Sequence, residues 1–117
     1  MMHKIVIPLY MDDVAPRFDL VTEVLIIMVS KDNSVEKKAM VLPRSAEKLC
    51  HLIILENINT LICGAIEDEY YQFLAWKKIT IFDAVSGAWP VVFEKWMDKS
   101  LNSGDILSQR QIEGKNV

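Results

Sequence analysis

Arg17, Phe18 and Asp19 close a loop that starts behind the apolar run Ile5-Val6-Ile7 and passes through the paired acids Asp12-Asp13 to Pro16. A guanidinium carries a rigid fork of N–H donors that matches carboxylates and phosphates. Arg17 with Asp19 could therefore line a pocket for an anion, or the two could form a solvated surface pair. Paired carboxylates can also hold a cation, but Asp12-Asp13 lacks the alternating ligand spacing of a calcium loop, so no metal is assigned there. Loops set on a rigid scaffold carry function disproportionately, which makes this segment the first candidate for a site.

Cys63-Gly64 is the second. It follows the short apolar run Thr60-Leu61-Ile62, at the carboxyl end of an expected strand, where open α/β sheets place ligands. A thiolate there could ligate iron or copper. Equally, free cysteine is among the most buried residue types, and Cys63 would then simply complete the strand. Cys50-His51 cannot easily grip one metal, because neighbours on a helix point roughly 100° apart. Cys50 reads as core and His51 as surface. Gly64 resembles part of a nucleotide-binding turn, but the remaining glycines are missing. A two-metal nuclease needs converging carboxylates, one of them from the first strand, and HKIVIPL offers none. No nucleophile–base pair stands out, so no enzymatic activity is expected.

The apolar pattern supplies the elements that must position these residues. Consecutive apolar residues predict strands over 3–9 and 23–29, covered on both faces. A turn cluster, Lys31-Asp32-Asn33-Ser34, leads to an edge strand over 35–42, where Lys37-Lys38 discourage further pairing. Ser45 is a suitable N-cap for a helix to about residue 57, with Ala46, Leu49, Cys50, Ile53 and Ile54 on one stripe. A buried strand over 60–63, a helix over 67–77, a strand over 79–82 and a third helix capped by Ser86 follow. Pro90 is tolerated in the first turn of that helix. Beyond Lys99 the polar composition predicts a short closing turn and then a frayed tail over 108–117. Short turns make the first three strands antiparallel, and helical crossovers make the last two parallel. The expected fold is α/β: a single mixed sheet of about five strands with helices packed on it, in one domain over 1–107.

A chain of 117 residues with half its residues apolar is an ordinary globular sequence. Its net charge of −3 argues against a phosphate-backbone binder, so no nucleic acid is expected. Two distant cysteines suit a reducing compartment. No apolar stretch reaches the ~18 residues that span a bilayer. A cytoplasmic protein without a membrane partner is expected. Tyr70, Tyr71, Phe73, Trp76, Trp89, Phe93 and Trp96 fall at helical spacings, as core or as the contact of a homodimer.

The strand IVIP, the loop ending VAPRFDLVTEVLI, the strand and turn TLICGAI, and the exit Ser103-Gly104-Asp105-Ile106-Leu107 resemble the dinitrogenase iron–molybdenum cofactor biosynthesis family. That family includes the NifX and NafY proteins and the C-terminal region of NifB. The resemblance runs from about Lys4 to Leu107. It implies a ribonuclease H-like fold and a non-catalytic role in binding or handing on an iron–sulfur or iron–molybdenum–sulfur cluster. It also implies partners among nitrogenase-assembly or other metallocluster proteins, and cofactor-binding positions at Arg17, Phe18, Asp19, Cys63 and Gly64. The chain departs from the family at these positions. Members commonly carry His-Phe-Gly where Arg17-Phe18-Asp19 stands, a Gly-Gly pair where Cys63-Gly64 stands, and a glycine at Lys78. An arginine is never deprotonated in proteins and cannot ligate iron, although it can pair with an anion. The other expectation is an interaction or regulatory module that keeps the fold and has lost the cluster.

Overall fold

The computed structural model describes residues 2–107, so the expected tail over 108–117 lies outside the described residues. The central strand is β1 (His3–Tyr10), in which Ile5, Val6 and Ile7 are wholly buried. Val6 joins one apolar cluster and Ile5 and Ile7 the other, as a strand covered on both faces requires. β3 (Glu23–Val29) pairs antiparallel with β1 from His3 opposite Val29 to Leu9 opposite Glu23. β4 (Val35–Val41) continues the antiparallel meander and forms one edge of the sheet. Lys38 there lies 3.6 Å from Glu56, and the Lys37 ammonium sits over the Trp89 ring at 5.4 Å.

On the other side of β1 the strands run parallel. β5 (Thr60–Ile62) pairs with β1, and β6 (Thr80–Phe82) pairs with β5, which gives the order β4-β3-β1-β5-β6. α1 (Ala46–Leu55) and α2 (Asp68–Trp76) cover one face, while α3 (Trp89–Met97) covers the other. Ser45 caps α1 as its residue type suggests, its hydroxyl accepting from the Lys48 N–H at 3.2 Å. The mixed sheet, with three antiparallel strands followed by two parallel ones, and the three helices follow the pattern of apolar runs. No helix among the described residues is long and apolar enough to cross a membrane.

Three local features differ from the sequence reading. The segment after Leu9 is a tight hairpin rather than an open loop. β2 (Asp13–Val14) folds back on β1, with Leu9 opposite Val14 and Tyr10 opposite Asp13. Met11 turns that corner at a φ of 57°, a conformation that side chains rarely adopt and that no glycine advertised. Secondly, Ser86 does not cap the third helix. It forms β7 (Ser86–Gly87), which pairs in parallel with β8 (Ile106–Leu107), and Ala88 takes the N-cap position instead. Lastly, the exit after Lys99 adds β8 beyond the closing turn, because Gly87 lets the Leu107 carbonyl approach where a Cβ would stand.

Candidate functional site

In a sheet of this topology β1, β5 and β6 point the same way, so the loops after them and the start of every helix collect at one end. Residues 8–22, 41–46, 63–67 and 82–88 meet there. The chain from Ala15 to Phe18 does not hang off this end. It adds a short parallel bridge, Arg17 opposite Ala65, to the turn that leaves β5. The Phe18 N–H donates to the Ala65 carbonyl at 2.9 Å, and the Ala65 N–H donates to the Pro16 carbonyl at 2.8 Å. Gly64 makes this seating possible. A Cβ on it would clash with the Ala15 carbonyl oxygen and stand 2.6 Å from the Pro16 carbonyl oxygen. Upstream, the Trp89 N–H donates to the Asp12 carbonyl at 2.9 Å, and Asp13 bridges Ala88. The loop backbone is thus tied to β5 on one side and to the start of α3 on the other.

Seated this way, the loop turns its side chains in different directions. Phe18 is only 2% exposed and packs into the α1/α2 cluster, its ring 6.2 Å from that of Tyr70. Arg17, on the preceding residue, faces solvent with a side-chain exposure of 61%. Its Nε and Nη2 donate to the two oxygens of Asp19 at 3.1 and 2.7 Å, a two-pronged ion pair. That hydrogen bond and charge raise the Arg17 pKa above its ordinary value, with a smaller contribution from Glu67, so the guanidinium is always charged. Asp12 and Asp13 are exposed on the hairpin turn.

The fold brings Arg17, Phe18, Asp19, Cys63 and Gly64 to one place, but in different roles. Cys63 is wholly buried beneath the loop, with its N–H donating to the Phe82 carbonyl at 2.9 Å. Burial, reinforced by the charge of Asp83, pushes its thiol pKa up, so it stands as a neutral core group beyond the reach of a surface ligand. Cys50 is 5% exposed at the floor of a hollow between α1 and α2, and burial lifts its thiol to about 11, helped by Glu47. His51 is exposed at the rim of the same hollow. Among the described residues, no three His, Cys, Asp or Glu side chains converge on a point that could hold a metal ion.

Arg44 is the residue that sequence reasoning missed. It lies in the connection from β4 to α1, which the bond from the Leu42 N–H to the Thr22 carbonyl (3.0 Å) clips to the start of β3. Together with Tyr10, Pro16, Arg17, Leu20 and Thr22 it lines a hollow of about 320 Å³ at this end of the sheet. The only available signal was compositional, since the chain has three arginines, Arg17, Arg44 and Arg110, beside ten lysines.

No family model matches the chain, and no curated protein is similar in sequence. Solved structures are similar in fold. The protein PH0822 superposes with a TM-score of 0.77 at 13% identity, over 86% of this chain and 93% of that one. A protein of Methanocaldococcus jannaschii, provisionally named a dinitrogenase, superposes with a TM-score of 0.71 at 26% identity, over 87% of this chain and 94% of that one. A Thermotoga protein of the DUF35 family, provisionally named NifB, gives 0.61 at 13% identity, over 86% and 92% of the two chains.

Proposed function

We propose that this chain is a small non-catalytic accessory protein of the nitrogenase-cofactor type, with a ribonuclease H-like fold, that receives and hands on an anionic metal–sulfur cluster. The likeness to proteins named as a dinitrogenase and as NifB supports the theme. The observation that carries the site is the Arg17 loop, bonded to Ala65 over Gly64 at the carboxyl end of parallel strands with its guanidinium outside. The residues present suit an anion contact and not a coordination shell. Both cysteines are buried, no three-ligand group is present among the described residues, and arginine coordinates no metal. A cluster held here would therefore come and go with its own ligands, and Arg17 would neutralise part of its charge. The test is anaerobic incubation with a thiolate-ligated iron–sulfur cluster, followed by desalting, visible absorption and iron analysis. A chromophore retained by the parent and lost in Arg17→Gln is the expected result. If the parent retains none, the cluster reading is wrong.

A second reading has its own observation. Phe73 and Trp76 stand 41% and 74% exposed on α2, more aromatic surface than that helix needs for its core contact. An interaction or regulatory module, with a metallocluster-assembly protein or a second copy as partner, would use such a face. It predicts that Arg17→Ala and Cys63→Ser leave metal content unchanged while Trp76→Ala abolishes co-purification of the partner.

A further inference from the structure

We infer that the hollow between Arg17 and Arg44 is a binding site for a small organic carboxylate with an apolar body. Two arginines from distant parts of the chain line it, one from the loop between β2 and β3 and one from the connection between β4 and α1. They are the only arginines among the described residues; every other cation there, histidines apart, is a lysine, and neither histidine lines this hollow. Arginine differs from lysine in offering a planar fork that fits a carboxylate with two parallel bonds. In a chain of net charge −3, both line one hollow, Arg17 already paired with Asp19 and Arg44 without an ion pair among the described residues.

The surroundings narrow the ligand. No acidic side chain lines the hollow, and Arg44 makes no ion pair among the described residues. Asp19 grips Arg17 from outside the lining, through Nε and one Nη2 proton. Three of the five N–H donors remain, two of them forming the Nη1/Nη2 edge, and a guanidinium already held on one side loses less freedom when it binds on the other. Asp19 is thus a positioning residue for Arg17. Leu20 and Pro16 give the hollow apolar walls, and Tyr10 and Thr22 add a hydroxyl each. Mostly apolar walls with a few converging polar groups, at about 320 Å³, describe a small-molecule site, at the small end of the usual range. An inorganic oxyanion would leave the walls unused, and a neutral molecule would leave the guanidiniums unused.

The inference shares with the proposed function the assignment of this end as the ligand end, and it does not depend on a cluster. It is tested without metal, so failure of cluster reconstitution leaves it intact. The ¹⁵N-labelled full chain is titrated with benzoate, benzamide and inorganic phosphate at matched ionic strength, following amide shifts. Benzoate should give saturable shifts at Tyr10, Arg17, Thr22 and Arg44, while benzamide and phosphate bind at least tenfold more weakly. Arg17→Gln and Arg44→Gln should each weaken benzoate roughly tenfold or more, the usual worth of a charged hydrogen bond, with the rest of the spectrum unchanged. Arg44→Lys, which keeps charge and loses the fork, should fall between. Absence of saturable shifts at the hollow overturns the proposal, as does benzamide or phosphate matching benzoate, or a glutamine variant binding like the parent.

Discussion

At the carboxyl end of β1 peptide groups tie the Arg17 loop to its neighbours while the Arg17 and Asp19 side chains bond each other, whereas at the amino end side chains also bridge between elements. The loop that carries Arg17 is held by peptide groups, Phe18 to Ala65 and Ala65 to Pro16. At the other end His3 Nε2 bonds the Thr60 hydroxyl at 2.8 Å, the Asn59 side chain accepts from the Lys4 N–H at 2.7 Å, and Lys4 Nζ donates to the Glu56 carbonyl at 2.9 Å. Trp96 closes over His3 with ring centroids 5.0 Å apart. The difference separates an end built for closure from an end built for contact, although both belong to the same strand.

The largest effect that would break this contrast is loss of the anchor under the loop. Phe18→Ala removes a ring that is 2% exposed and should cost about 3–4 kcal/mol in urea unfolding. Next comes Gly64→Ala, whose methyl group would press on the Ala15 and Pro16 carbonyls. It should cost about 1–3 kcal/mol and shift the amide resonances of residues 15–18 while sparing the amino end. A smaller change, of opposite sign, lies at the amino end. Lys78 leaves α2 with a φ of 70°, so Lys78→Gly should stabilise the chain by about 0.5–1 kcal/mol, read from the same denaturation curves.

The smallest effect is one of pH. Partial burial holds the His3 pKa below its ordinary value near 6.5. The unfolded chain therefore takes up the proton first, and stability should fall as pH drops through 6.5 to the depressed folded value, with no further loss from this group below it. His3→Gln should flatten that slope, in midpoints measured at about pH 7.5 and 5.5. An unchanged slope would mean that the His3–Thr60–Trp96 contact does not restrict protonation.

Much of this architecture was legible because the central strands are nearly uninterrupted apolar runs and their connections change from short turns to helices. The Ser45 cap was legible for a local reason, since the hydroxyl and its partner lie three residues apart. The Met11 hairpin was not, because its turn lacks the glycine or asparagine that usually marks a left-handed corner. Ser86 looked like a cap until a strand twenty residues later claimed its backbone. The neighbourhood of Arg17 and Gly64 could be anticipated from the ends of two strands, but the reason for Gly64 lies in the carbonyls of a loop almost fifty residues earlier. Arg44 was hidden for the same reason. Cys63 could be read as ligand or as core from its strand position, and only burial separates the two.

The seating of the loop over Gly64 also has a kinetic side. Where a surface loop orders itself only on binding, that ordering is subtracted from affinity and slows capture. Here the amides of Phe18 and Ala65 sit in a bridge attached to the central sheet, so the loop should exchange its hydrogens with the sheet's slow amides rather than with the quick ones of the 30–34 turn. A ligand reaching Arg17 meets a surface that is already arranged, and its residence is then set by the contacts it makes rather than by the folding of the loop around it.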